Sequence, residues 1–432
     1  MKFTEIPKQQ LNIKQLLFSN RDLSNLFYPL LVEQFLVLGV GLADSIMVSS
    51  LGEAAVSGVS LVDFIMMLII FVFIALSAGG TVIAGQYLGR KDIVMAQKAA
   101  DQLVWYVGLF SLAITAFAYI FKDFILGTVF GSVAPDVMLN ANKYFLVVAA
   151  SIPAIALFHA GSAIFKTTGD SKTSMKIVII MNIINIAGNA FFIYVLHWDI
   201  IGVALPTTVS RYFSAIIMIF LTTRPKFILQ LPRTLQHNFD WKMVKRLLNI
   251  GVPYGIENGL FQLGRIAVVS IVATYGTSAI AANAVGGMIA VFEVLPGMAI
   301  NAGMATVIAR CIGANDFVQA KYYTKKIIKI VFVSHFVMSI LLLASMPLIL
   351  KVYTLTPETT AMVWKIALWH AVFALFIWPP SFSLPMTFRA AGDVRFPMYA
   401  GIGSMLLFRI VFAYIFGTIM GIGVFGTWMA MF

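Results

Sequence analysis

Long apolar runs separated by short polar stretches dominate the chain. Runs near 24–50, 54–85, 99–121, 141–165, 175–196, 200–222, 248–274, 279–309, 327–350, 361–388 and 396–419 each hold about 20 residues or more, enough for a helix to cross a ~30 Å hydrocarbon core. A twelfth run, 421–432, stops at Phe432 before it is long enough to span, so a natural C-terminal tail is expected beyond it. The short alternating segments of a membrane β-barrel are absent. The pattern predicts an all-α polytopic membrane protein with twelve transmembrane helices.

The pattern occurs twice. A shift of 224 residues lays Pro29-x-x-x-Glu33 on Pro253-x-x-x-Glu257 and SLGEAAVSGVSL (50–61) on TYGTSAIAANAV (274–285). The same shift lays Ala78-Gly79 on Ala302-Gly303, Gly89-x-x-Asp92 on Gly313-x-x-Asp316, and Gly202 on Gly426. With one residue deleted, FKTTGDSKTSM (165–175) matches FRAAGDVRFPM (388–398). This predicts a six-helix half over 1–222, a linker over 223–241 containing Pro225 and Pro232, and a second six-helix half over 242–432. Asp240 is placed to cap a helix starting near Trp241. An even number of spans per half gives the two halves parallel orientation about an axis along the membrane normal, an arrangement whose substrate sites lie between the halves.

Composition agrees. The chain is 60% hydrophobic and 11% charged with a mean hydropathy of +0.92, so its main solvent is lipid. The net charge of +12 is no sign of nucleic acid, because the basic residues sort by loop. The N-terminus, alternate loops and linker carry most of them, including Lys14, Arg90, Lys98, Lys166, Lys172, Arg246, Lys321, Arg389 and Arg395, whereas the opposite loops carry only Lys122, Lys143, Lys351 and Lys365. That asymmetry predicts a multi-pass protein of the inner (cytoplasmic) membrane with its N-terminus and linker in the cytoplasm. The first 21 residues lack a signal-peptide core and read as a short amphipathic cytoplasmic segment. The single Cys311 excludes an internal disulfide.

Polar groups inside spans are costly and mark function or pairing. Asp44, Asn189 and Thr207 each lie six or seven residues from the outer ends of spans one, five and six, about 10 Å below the outer surface at ~1.5 Å per residue. Asn185 is one turn from Asn189 on the same face. One carboxylate and three neutral oxygens converging at one depth suit a proton or a small hard cation, so Na+ is a candidate ligand of Asp44. Glu33 precedes Asp44 by eleven residues and returns to the same helix face, as a step in a proton path or the wall of a wet cavity. In the second half, Arg265 requires a partner, with Glu257 or Glu293 as the expected acid and Gln262 in the same polar network. Arg409 is a further buried cation. Most of the 36 Phe and 22 Met read as packing or lipid-facing residues, with a minority suited to flat cationic molecules.

At LADSIMVSSLG (42–52), the paired Gly-Asp loops and PYGIENGLFQLGR (253–265), the chain resembles the multidrug and toxic compound extrusion (MATE) family over essentially its whole length. The resemblance implies a V-shaped pair of bundles around a central cavity, and antiport in which small organic, often cationic, compounds leave as H+ or Na+ enters. Asp44, Asn185, Asn189 and Thr207 fall where members carry an N-half cation site. Some members have a second acid at the Asn189 position, which this chain lacks. Span 361–388 also lacks the acid that some branches place there. The resemblance further implies that the first helix bends at Pro29 on cation binding.

The expected partners are small organic substrates and the lipid bilayer, with no nucleic acid, no cofactor beyond the coupling ion, and a monomeric state. An enzyme is disfavoured, since no His-Glu-x-x-His, Gly-x-Ser-x-Gly or paired-histidine metal spacing occurs, and no Walker loop supports ATP-driven pumping. A lipid or lipid-linked sugar flippase and a passive channel are the competing readings within transport. The charge sorting makes a direct prediction: in single-cysteine variants, positions 122 and 351 react with impermeant reagents applied outside intact cells, and positions 172 and 321 do not.

Overall fold

The computed structural model describes residues 16–131, 133–232, 238–353 and 355–432. Among them there is no strand. The helices are α1 (Asn20–Ser49), α2 (Glu53–Gly89), α3 (Ile93–Ile120), α4 (Lys122–Phe130), α5 (Pro135–Ala149), α6 (Ile152–Thr168), α7 (Ser171–Ala190) and α8 (Ile201–Thr222) in the first repeat. The second repeat has α9 (Trp241–Ala273), α10 (Thr277–Gly313), α11 (Phe317–Val352), α12 (Pro357–Trp378), α13 (Leu384–Ala391), α14 (Arg395–Ser404), α15 (Phe412–Tyr414) and α16 (Val424–Met431). Wider π-helical turns extend α7, join α12 to α13, and flank α15.

Local chemistry sets the helix ends. The Ser19 hydroxyl accepts from the Asp22 backbone N–H while the Asp22 carboxylate accepts from Ser19, a reciprocal cap on α1. Asp92, Asp170 and Asp316 cap α3, α7 and α11 by accepting from Met95, Thr173 and Gln319 backbone N–H groups at 3.0, 3.2 and 2.9 Å. The repeat is visible in the backbone itself: Gly52 and Gly276, Lys91 and Asn315, and Gly169 and Gly392 are repeat-related positions, and all six have positive φ. Gly169 and Gly392 end α6 and α13 in the left-handed conformation, which glycine adopts without steric cost.

Among the described residues, ten helical segments are long and apolar enough to cross a membrane, and the bent pair α5 and α6, taken as one span, makes an eleventh. The predicted span over 141–165 falls on this pair, which is bent rather than straight: α5 and α6 meet at 48°. Pro153 at the second position of α6 removes a backbone donor there, and Ser151 turns its hydroxyl back to the Val148 carbonyl at 2.6 Å. At the twelfth expected position, α16 is too short to span.

The chain divides into two compact units. One comprises Phe18–Gly255 with Gly313–Asn315, and the other Ile256–Ile312 and Asp316–Phe432 together with Leu16 and Leu17. The division falls inside α9, beyond the 223–241 linker. Close packing explains why the start of α9 stays with the first unit: a Cβ at Gly79 would lie 2.5 Å from the Leu247 carbonyl oxygen, and one at Gly251 would lie 2.9 Å from Leu76 Cα. The linker is fixed to α3 in the same unit. Gln102 donates to the Asn238 carbonyl at 2.8 Å and accepts from the Asp240 N–H at 3.0 Å. Asp240 also pairs with Lys98 at 2.6 Å, a hydrogen bond that holds its carboxyl below the usual range.

In the first unit α2, α3, α5 and α6 enclose an apolar core around Phe73, Leu103 and Phe145, and α1 packs along α7. In the second, Val272, Val363 and Ile366 belong to the main buried cluster, which includes Trp428.

Because backbone atoms of α9 occupy the space over Gly79, Gly79→Val should destabilise the protein by about 1–3 kcal/mol or more. Gly41→Ala, with nothing within 4 Å of its added methyl, should leave stability unchanged. Thermal unfolding of the two purified variants in detergent checks this, and equal midpoints would refute the contact.

Candidate functional site

Within the first unit, α1, α7 and α8 bring Asp44, Asn185, Asn189 and Thr207 together. Asn189 Nδ2 donates to Asp44 Oδ1 at 2.7 Å, and Asn185 Nδ2 donates to Thr207 Oγ1 at 3.0 Å. Asn189 Nδ2 also lies 3.5 Å from Asn185 Oδ1, which joins the two pairs. The Thr207 hydroxyl donates to the Val203 carbonyl, one turn back, at 2.9 Å. The geometry follows from helix periodicity: 185 and 189 are one turn apart on α7 and face both neighbours. Asn185, Asn189 and Thr207 are buried, and Asp44 is half-buried. Asn189 Oδ1 is buried with no hydrogen-bond partner, an unsatisfied acceptor beside a carboxylate. Two oxygen acceptors with free lone pairs at one point suit a cation or a protonated group.

Three residues absent from the sequence reading complete the surroundings. Asp63 on α2 and Arg211 on α8 lie within electrostatic reach of Asp44, and Tyr144 on α5 donates to Asp63 Oδ1 at 3.3 Å. Arg211 is anchored by its bond to Ser151 Oγ at 2.9 Å. Asp63 is exposed, and a charge exposed within a span faces water rather than hydrocarbon. The cluster thus joins buried amides at Asn185 and Asn189 to an exposed carboxylate at Asp63. The missed signal was present, since Asp63 is an acid within the apolar run 54–85 and Arg211 a base within 200–222. Arg211 is also one turn beyond Thr207.

Glu33 is buried, with both oxygens engaged: Lys166 Nζ is 2.8 Å from Oε1, and Ser174 Oγ donates to Oε2 at 3.0 Å. It is an inter-helix ion pair with α6. Pro29 is buried inside α1, which continues unbroken through it.

The second unit departs from expectation. Glu257 does not pair with Arg265; it receives both hydrogen bonds from Arg389 Nη2, at 2.6 and 2.7 Å. Eight residues along a helix rotate the side chain by about 80° and advance it about 12 Å, which puts Glu257 and Arg265 out of mutual reach. Arg265 instead donates weakly to Gln262 at 3.4 Å. Arg409 lies over the Phe261 ring at 5.2 Å with its Nε buried and unpartnered. Glu293, the other expected partner of Arg265, is bound elsewhere: it accepts from Ser339 at 2.8 Å and is hydrogen-bonded to His370 Nδ1 at 2.6 Å. The His335 ring lies against Trp378, its centroid 4.7 Å away, and neither ring nitrogen has a partner. No group of three or more His, Cys, Asp or Glu side chains is arranged to hold a metal ion among the described residues.

An all-helical membrane fold of two repeats, with a polar cluster set into one of them, defines a polytopic transporter. The chain belongs to the MatE family: its family model matches residues 29–191 and 253–415, two segments beginning 224 residues apart. Uncharacterized transporter YisQ of Bacillus subtilis is 30% identical over 418 residues, covering 95% of this chain and 90% of the relative. A probable multidrug resistance protein NorM of Thermotoga maritima is 24% identical, with 95% and 88% covered. The multidrug export protein MepA of Staphylococcus haemolyticus is 26% identical over 59% of this chain and 55% of its own. Among solved structures, a crystal structure of MATE in the bent conformation superposes with a TM-score of 0.87 at 20% identity, covering 95% of this chain and 90% of that one. An outward-facing multidrug resistance MATE family transporter superposes with a TM-score of 0.86 at 19% identity, covering 95% and 91%.

The Glu293–His370 pair predicts an asymmetric mutational response. His370→Phe leaves a buried carboxylate with only Ser339 as partner and should cost about 3–5 kcal/mol, whereas combining it with Glu293→Gln should recover much of that loss. Thermal unfolding of the single and double variants measures the difference.

Proposed function

We propose that this transporter is a secondary active antiporter of the inner membrane, with its N-terminus in the cytoplasm, expelling small organic compounds in exchange for inward H+ or Na+ bound at Asp44. The names of the MepA and NorM relatives support drug-like cargo. The observation that carries the coupling reading is the Asp44–Asn189–Asn185–Thr207 cluster, with an unsatisfied acceptor at Asn189.

Charge counting supports a single monovalent ion. With both carboxylates deprotonated, Asp44 and Asp63 carry two negative charges against one positive charge on Arg211, leaving one negative charge for the incoming cation to neutralise. Such neutralisation supplies the differential binding that an exchange cycle requires: with the cation bound the cluster is neutral, and without it a net charge remains among buried amides. Binding and release therefore favour different arrangements of α1 against α7, the helices carrying Asp44 and Asn189. Aromatic and methionine side chains elsewhere suit flat cationic cargo through ring faces and adaptable thioethers.

Asp44→Asn keeps side-chain size and removes the charge. Reconstituted in liposomes, it should insert normally and retain drug binding while losing cation-driven efflux by at least about 100-fold, under imposed proton and sodium gradients tested separately. Coupled exchange at wild-type rate in Asp44→Asn would overturn the reading.

A further inference from the structure

Two partly buried ion pairs of the spanning helices, Glu33–Lys166 and Glu257–Arg389, occupy equivalent places in the internal repeat. Glu33 and Glu257 are the acids of the two Pro-x-x-x-Glu motifs, and Lys166 and Arg389 share one position in FKTTGD and FRAAGD. In the first unit Lys166 meets Glu33 at 2.8 Å, and in the second Arg389 meets Glu257 at 2.6 Å. Each pair joins the helix that opens its repeat to the helix that ends at the Gly-Asp turn. The rest of the first unit's polar set has no such echo: Asp44 corresponds to Val268, and in the register of the Gly-Asp turns Asn189 corresponds to Phe412. A buried ion pair is costly to desolvate, so its presence in both repeats points to a task common to both, separate from ion chemistry.

That task is visible along α1 and α7, which touch through polar bonds at three levels. Ser174 donates to Glu33 at 3.0 Å, Asn182 to the Leu36 carbonyl at 3.0 Å, and Asn189 to Asp44 at 2.7 Å. Among the described residues, the first level is the one with a direct ion pair, from Lys166 to Glu33. Pro29, one turn before Glu33, cannot donate to the Asn25 carbonyl, so α1 is least constrained by its own hydrogen bonds just before the tether. The tether therefore fixes the segment that continues to Asp44, about 16 Å farther along the same face.

We propose that Glu33 and Lys166 are positioning residues that hold α1 in the axial register at which Asp44 meets Asn189, and that Glu257 and Arg389 do the same for α9 without an attached ion site. The ion-related part rests on the reading of Asp44 as the coupling carboxylate. The tether part does not.

The test uses the full chain in liposomes with Glu33→Gln, Lys166→Met, both together, and the exchange Glu33→Lys with Lys166→Glu. Two quantities are read: the ion concentration for half-maximal efflux, and the distance distribution between spin labels at positions 46 and 183 in a Cys311→Ser background. The single variants should broaden the distribution and raise the half-maximal concentration about 10- to 100-fold, as loss of a ligand-orienting partner does. The exchanged pair should restore both towards wild type, a rescue that mere loss of packing would not give. Arg389→Met should leave the ion concentration unchanged, and a shift there would overturn the assignment of ion-site positioning to the Glu33–Lys166 pair. Wild-type values of both quantities in the single variants would overturn the proposal; if those variants fail to insert, the uncharged double variant decides in the same way. If Asp44→Asn keeps coupled exchange, the coupling reading falls, and the tether is judged by the label distances alone.

Discussion

Every charge in a spanning helix of this protein must find its counter-charge or hydrogen-bond partners within the protein or at a wet face, because hydrocarbon offers none. That constraint organises the spanning helices. Lys166 satisfies Glu33, Arg389 satisfies Glu257, and His370 and Ser339 satisfy Glu293, in each case across helices far apart in sequence. These bonds fix which helix faces meet. The apolar packing around them is less selective, since many large hydrophobic side chains fit a helix interface or a lipid tail equally well.

Against that background Asp44 stands out by what its neighbours are. Its direct partner is a neutral amide, and among the described residues the cation that acts on it, Arg211, acts on Asp63 as well. The tethers are charge-balanced one to one, whereas the Asp44 cluster is one positive charge short. A carboxylate without a paired cation has more to gain from a proton or sodium ion than a fully paired one.

The repeat shows how one fold carries two chemistries. Backbone devices recur almost residue for residue, including the positive-φ positions Gly52 and Gly276, Lys91 and Asn315, and Gly169 and Gly392. The tethers recur with Arg in place of Lys, and the guanidinium in the second half reaches both oxygens of its acid. The Asp44 cluster does not recur: Val268 stands in place of Asp44. The tethers thus recur where the Asp44 cluster does not, and the two occupy different levels of the helices.

Membrane embedding, the helical class, the internal repeat and the convergence of Asp44, Asn185, Asn189 and Thr207 were determined by the sequence alone. Run length against bilayer thickness, a constant residue offset, and the 3.6-residue turn are one-dimensional quantities. Only the tertiary structure decided who pairs with whom. Glu257 with Arg389, Glu293 with His370, and Asp63 near Asp44 join residues from different helices, and helix rotation, which sets those partners, is not encoded in the spacing along any one of them. The 48° break between α5 and α6 belongs to the same class: Pro153 permits a bend, but packing against neighbouring helices sets its angle.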